Sequence, residues 1–391
     1  FGAAVSQGSR ADVTVTNAEG ATITGATSGI YSFATGTIAV NNAGTIRGEG
    51  SYDGFDAAPD AGITITTAAS SVTNSGTISG AGAGITTAYQ FDEDINGLVG
   101  LAIGTEIENS GTIAGESNDG VRLLGGGSVT NSGTITGAGS ELADGISMFA
   151  YDGQNAADFV ASVVNSEAGT IGGDRFGVIL SGGGSVENAG TIDGTVGGVL
   201  IQSGLADPAG LTGIFTNSGT ISSAEGAAIT AHVQAAVTNS GTLTGGGGVA
   251  VQLDAFDDTV TLRTGSAIDG LVDAGAGIDK LTLDGDILEL TEAQQLTAAA
   301  GFEELQVAVG YWSTSGVVGA FGQVAIDEGA ALQVNEVTVG GEADSPILTA
   351  SVVTNGLLVL NFGDDESVSS LDELTISGSG KLQLIGDAVF T

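Results

Sequence analysis

The chain holds 391 residues, and 46 acidic against 7 basic side chains leave a formal net charge of −39. That balance makes nucleic acid and anionic membrane surfaces poor partners, and the absence of cysteine means that no oxidising compartment is needed for folding. Mean hydropathy is positive, yet Gly, Asp or a turn interrupts every apolar stretch well short of the roughly 20 residues a membrane helix needs. At Phe1-Gly2-Ala3-Ala4-Val5 no charged segment leads into an apolar one, so a signal peptide is expected to be absent or already removed.

From Asn42 to Leu243 a pentamer of the form Asn-(Ser/Ala)-Gly-Thr-(Ile/Leu) recurs. It opens at Asn42, Asn74, Asn109, Asn131, Asn188, Asn217 and Asn239; at Asn165 two extra residues precede Gly169-Thr170-Ile171, and a looser copy opens at Asn17. The glycines of neighbouring copies lie 21 or 22 residues apart at Gly111 and Gly133, Gly169 and Gly190, and Gly219 and Gly241, and further apart elsewhere. A repeat of about 22 residues is therefore one coil of a stacked solenoid, and the excess is surface loop.

Each coil reads as three short strands with Gly-rich corners. Val121 and Leu123 share one face, and Val129 and Asn131 share another, so the inward side chains alternate with period two. A helical fold is excluded, because 68 glycines among Thr, Ser, Asn and Val would be ruinous in helix interiors. Pro59, Pro208 and Pro346 stand beside stretches that read as loops. The expected fold is all-β, a right-handed parallel β-helix of three-strand coils with inserted surface loops. Residues 1–250 form its regular part.

The asparagines Asn42, Asn74, Asn109, Asn131, Asn165, Asn188, Asn217 and Asn239 fall at one corner of successive coils, where stacked amides can bond above and below as a structural ladder. A corner also suggests left-handed backbone at Asn. The inserts Ser51 to Asp60, Ala88 to Glu106, Ser140 to Phe159 and Ser203 to Gly213 carry Tyr52, Phe55, Tyr89, Phe91, Phe149, Tyr151 and Phe159. Most of these inserts fall between the same two strands, which makes them the places where binding would live.

Chemistry is sparse. No Gly-x-Ser-x-Gly occurs, and the one histidine, His232, alternates outward between Ala231 and Val233. Asp92, Glu93 and Asp94, with Arg122 or Arg175 as base or substrate clamp, are the candidates for a polysaccharide-cleaving site, and three acids in an exposed loop are more simply solvated. Gly275-Ala276-Gly277-Ile278-Asp279-Lys280-Leu281 matches the core of a calcium-binding nonapeptide, but that chemistry pairs consecutive turns and one copy is present. The expectation is no enzyme, no catalytic residue, no metal and no cofactor.

Past residue 250 the grammar changes. Residues 251–391 are expected to continue the β-helix less regularly, with Thr291-Glu292-Ala293-Gln294 as a capping box opening a short helix near 291–300 that stops at Gly301, after which strands run on to Val389.

The pentamer repeats, Asp258-Thr259-Val260 with Gly265-Ser266-Ala267-Ile268, the run Asp273-Ala274-Gly275-Ala276-Gly277 with Asp279-Lys280-Leu281, and Phe302-Glu303-Glu304-Leu305 before Trp312 resemble the passenger domain of a type V autotransporter, of the pertactin-like adhesin group, over most of the chain. The resemblance implies export, passage through an outer-membrane barrel, and display at the cell surface or release outside the cell. The family's C-terminal barrel does not lie within the sequence, which stops at Phe390-Thr391. The functional expectation is a non-catalytic structural or adhesive protein with a role in adhesion or biofilm, meeting host or bacterial surface molecules. The alternative is a self-assembling extracellular filament or surface-layer subunit joined end to end, and a polysaccharide-degrading β-helix enzyme comes behind both. The outer membrane enters only through the missing barrel.

Overall fold

A computed structural model describes residues 3–7, 12–32, 36–50, 60–67, 69–88, 90–92, 97–99, 104–150, 159–204, 210–286, 293–296, 298–314, 321–335, 351–361 and 375–385. The chain divides into two compact units, Phe1–Val233 with Gly245–Gly247, and Gln234–Thr244 with Gly248–Thr391. Both are built from parallel strands coiled into a right-handed β-helix.

In the first unit each coil contributes three strands, for example Gly126–Asn131, Thr134–Gly137 and Ile146–Phe149. First strands pair only with first strands, and the second and third strands behave likewise, always in parallel and in register: Val129 lies between Ile107 and Val163, Ile135 between Ile113 and Ile171, and Ile146 between Val121 and Val178. Like therefore stacks on like at the interstrand spacing of about 4.8 Å. The isoleucines Ile46, Ile78, Ile113, Ile135, Ile171 and Ile192 that close the pentamers form one fully buried column, each contributing about 1.5–3 kcal/mol by leaving water.

The three faces are not equivalent. First and second strands alternate between buried residues and exposed or half-buried ones, as Thr105–Asn109 and Thr134–Gly137 do. Third strands are buried on both sides over much of the unit: besides the inward Ile63, Ile85 and Ile146, the outward Thr64, Thr86, Ser147, Ile179 and Leu200 are buried too. This explains why Val178-Ile179-Leu180 and Val199-Leu200-Ile201 are continuous apolar runs rather than alternating ones, as a sheet covered on both faces requires.

Two sequence expectations change in this unit. The stretch from Ser140 to Phe159 is not one insert, because Ile146–Phe149 within it is a third strand of the solenoid. The corner asparagines do not use left-handed backbone: among the described residues the non-glycine with positive φ is Ala69, and the asparagines end their strands in extended geometry, held by side-chain bonds. By chain position the interruptions 89–103, 150–158 and 205–209 follow third strands, whereas 51–59 falls between a second and a third strand. Tyr52, Phe55, Tyr89 and Tyr151 lie outside the described residues.

In the second unit the first-strand ladder runs through Gln234–Asn239, Thr259–Arg263, Lys280–Asp284, Glu304–Val309, Gln323–Ile326, Ser351–Thr354 and Thr375–Ser377. A second ladder joins Gln294–Leu296, Tyr311–Thr314, Ala331–Val334, Leu357–Asn361 and Lys381–Ile385. The helix expected near 291–300 is corrected: Gln294–Leu296 and Ala299–Ala300 are strands, while Thr291 and Glu292 lie outside the described residues. Pairing of Leu296 with Thr314 and burial of Leu296 and Ala299 outweigh the local capping signal. The strands expected as far as Val389 are described to Ile385.

The pentamer glycine is fixed by contact between coils. A Cβ on Gly133 would stand 2.1 Å from the carbonyl oxygen of Gly111, which accepts the Thr134 N–H at 2.8 Å. Gly133→Ala is therefore expected to lower stability by about 1–3 kcal/mol, because the clash is with backbone that cannot give way. Gly172→Ala, whose new Cβ would meet nothing nearer than the Asp193 carboxylate at 3.5 Å, should change stability by less than about 0.5 kcal/mol. Denaturant melts of the two variants make the comparison.

Candidate functional site

Three arrangements of polar side chains are built into the solenoid. The first is the asparagine ladder. Strand register places Asn17, Asn42, Asn74, Asn109, Asn131, Asn165, Asn188 and Asn217 above one another. Each Nδ2 in the series from Asn17 to Asn188 donates to the Oδ1 of the next at 2.7 to 2.9 Å. Asn131 is representative: its Nδ2 also reaches Gly133 O at 3.1 Å and Thr170 O at 3.2 Å, and its Oδ1 accepts from the Gly133 N–H. Where two residues are added after Asn165, the amide keeps its place and bonds to Gly169 O four residues on; Asn17 treats Ala21 O the same way. Asn239, in the second unit, bonds to Gly241 O at 3.0 Å, but its register partner in the following coil is Leu262, itself opposite Leu283. Within this unit the position is apolar at Leu262 and Leu283.

The second arrangement lies at the start of two adjacent third strands of the first unit. Asp119-Gly120-Val121 and Asp144-Gly145-Ile146 occupy equivalent places, since Val121 pairs with Ile146. Asp144 is fully buried. It accepts Arg175 Nε at 2.9 Å, Arg175 Nη2 at 2.5 Å and the Phe176 N–H at 3.1 Å, a two-pronged ion pair. Asp119 accepts the Asp144 N–H at 2.9 Å on one oxygen and the Ser147 hydroxyl at 2.5 Å on the other. The guanidinium groups of Arg122 and Arg175 each sit 5.4 Å from a ring centroid, those of Phe149 and Phe176.

Burial, and after it the negative charge of Asp144, pushes Asp119 up to about 6. Burial also raises Asp144, against the bonds from Arg175. The bond from Asp144 raises Arg175 in turn. Asp119 could hold a proton near neutrality, but both its oxygens are engaged and Asp144 is locked by Arg175. The cluster ties coil to coil.

The third arrangement is a carboxylate ladder at the start of first strands in the second unit. The Ala235 N–H donates to Asp258 Oδ1 at 2.6 Å, the Asp258 N–H to Asp279 Oδ1 at 2.7 Å, and the Asp279 N–H to Glu303 Oε2 at 2.8 Å. Asp258 and Asp279 are buried, and the Oδ2 of each has no hydrogen-bond partner. Burial lifts Asp258 to about 7, with the charge of Asp279 adding to it. Burial raises Asp279 as well, reinforced by Glu303 and Asp257.

His232 is exposed, as the alternation indicated. Arg122 and Arg175 meet Asp119 and Asp144, residues that the sequence reading did not single out; the signal available was an Asp-Gly pair at the same offset before two apolar strands. Asp92 ends the first strand of a small antiparallel pair, Gln90–Asp92 with Gly97–Val99, and Glu93 and Asp94 lie outside the described residues. In the glycine-rich run at 275–281, Asp279 caps the backbone of the preceding coil. Among the described residues no group of three or more His, Asp or Glu is placed to hold a metal ion, and no helix is long and apolar enough to cross a membrane. Comparison with protein-family models, curated proteins and solved structures returned no match.

Asn131→Leu should cost about 1–3 kcal/mol, because Asn109 and Asn165 each lose a buried partner; an unchanged melting midpoint would contradict this. The raised carboxylates fix the sign of the pH dependence. The folded protein holds these protons more tightly than the unfolded chain, so stability is greatest below the ordinary value of 3.8 and falls as pH rises. The fall ends near 6 for Asp119 and near 7 for Asp258. Thermal melts from pH 4 to 8 should show a declining midpoint that levels off above about 7. Asp258→Asn should match the native protein at pH 4 and melt higher at pH 8.

Proposed function

We propose that this chain is a non-catalytic structural or adhesive protein exposed outside a bacterial cell, of the autotransporter-passenger kind, with a role in adhesion or biofilm. The observation that carries this reading is the use of the repeat itself: the polar residue that recurs in every pentamer spends its amide on the neighbouring coils rather than on a cleft. The ion-paired cluster of Asp119, Asp144 and Arg175 is likewise consumed within the stack. A surface of Thr, Ser and Asn with a net charge of −39 keeps such a solenoid soluble and discourages lateral clumping.

A second reading, a subunit of a self-assembling filament, is favoured by the strand Lys381–Ile385. Its residues are exposed, Leu382 and Leu384 among them at 47% and 44%. Among the described residues, Leu357–Asn361 is the strand that pairs with it. An open edge of this kind is covered by more of the same chain or by a second copy.

The test uses purified protein. Beads coated with it should adhere to bacterial or host cells above the level of albumin-coated beads, and panels of polysaccharide, ester and peptide substrates should show no turnover. Turnover abolished by Asp119→Asn or Asp144→Asn would replace the adhesive reading with an enzymatic one. Thin fibres in negative stain that lengthen with concentration would favour the filament.

A further inference from the structure

Beside the Asp119 cluster, on the outer side of the third strands, lies a cavity of about 160 Å³ lined by Asp60, Thr86, Asn118 and Arg122, with Ala83 and Leu124 among its apolar walls. Register sets Arg122 directly against Thr86 of the preceding coil, so both project outward from the same sheet. The Arg122 guanidinium is held by the Phe149 ring rather than by an acceptor; among the described residues it donates no hydrogen bond. Asn118 uses its Oδ1 to accept the Asp119 N–H at 2.9 Å, which leaves its Nδ2 directed to no described partner. The Thr86 hydroxyl donates to Thr87 O at 3.2 Å and keeps its lone pairs. The solenoid thus holds an arginine with five donors, an amide donor, a carboxylate acceptor and a hydroxyl around one small space.

We propose that this cavity is a binding site for a neutral sugar, taking one ring or the end of a glycan chain. The chemistry of the lining selects that class. An anion would meet Asp60 with Asp119 and Asp144 close behind, in a chain of net charge −39; a cation would meet Arg122. Hydroxyl groups donate and accept at once, so neighbouring hydroxyls of one ring can give a bond to Asp60 while receiving others from Arg122 and Asn118. Ala83 and Leu124 supply the apolar contact that the C–H face of a ring needs. The volume fits a single ring, falling below the roughly 300–1,000 Å³ of pockets that enclose drug-sized ligands. The position suits attachment, because the site stands on two paired strands of a rigid stack.

The inference rests on the adhesive reading and names its ligand class. Saturation-transfer NMR on the purified protein, with galactose, glucose and mannose as probes and galacturonate and glucosamine as charged comparators, tests it. At least one neutral sugar should receive saturation, and Arg122→Gln and Asp60→Asn should each weaken it at least about tenfold in protein that still unfolds cooperatively. No transfer to any neutral sugar, transfer indifferent to both variants, or stronger binding of either charged sugar would overturn the proposal. Bead adhesion measured in parallel separates the two claims: adhesion without sugar binding removes this site and leaves the adhesive reading, whereas sugar binding without adhesion does the reverse.

Discussion

Stacking near-identical coils in register places every side chain next to its own counterpart, one strand spacing above and one below. Apolar columns gain from this, as the pentamer isoleucines do, but a polar residue at a buried corner must then be satisfied by a copy of itself. The asparagine amide meets that condition because it carries a donor and an acceptor at opposite sides of one planar group. Asn131 is fully buried, yet its Oδ1 receives from Asn109, its Nδ2 gives to Asn165, and it also bonds to Gly133 O within its own turn. The glycine two residues on follows from the same constraint, since the chain there passes within 2.1 Å of where a Cβ would have to stand.

The units solve the corner differently. In the first, amide follows amide from Asn17 to Asn217. In the second the column passes from Asn239 to Leu262 and Leu283, and acids take up the bonding at the other end of the strand, where Asp258, Asp279 and Glu303 cap backbone N–H groups of the coil before. An amide ladder is indifferent to pH, whereas a carboxylate ladder with buried, unpartnered oxygens has to take up protons to be comfortable. The outer side of the first unit's third strands is likewise set apart: many residues there are buried, and Asp119, Asp144 and Ser147, with the half-buried Arg175, form a network beside the Arg122 cavity.

The fold was legible because its signal is translational. A pentamer at 21 or 22 residues, alternation in Val129 and Asn131, and the wealth of glycine each point to a stack, and Asn165 keeps its place despite its two-residue insertion. Signals that depend on one local stretch fared worse. The capping box at Thr291 suggested a helix where Leu296 instead pairs with Thr314, 18 residues on. The corner asparagines were expected in left-handed backbone, a need that their side-chain bonds remove. Arg122 and Arg175 stood out as rare cations, but their partners lie a coil away, and alternation says which way a residue points without saying what another coil places opposite it. Asp119 and Asp144 did not stand out in the sequence, since Asp-Gly is common at corners, and only the register of Val121 with Ile146 brings them together.

The central claim is that the stacked amides stabilise the solenoid by coupling one coil to the next rather than each turn separately. A double-mutant cycle in reversible denaturant melts, with Asn109→Leu and Asn131→Leu singly and together, measures that coupling. Directly bonded neighbours should interact by about 0.5–3 kcal/mol, and the distant pair Asn42 and Asn188 should add within about 0.5 kcal/mol. Strict additivity for Asn109 and Asn131 would contradict the account.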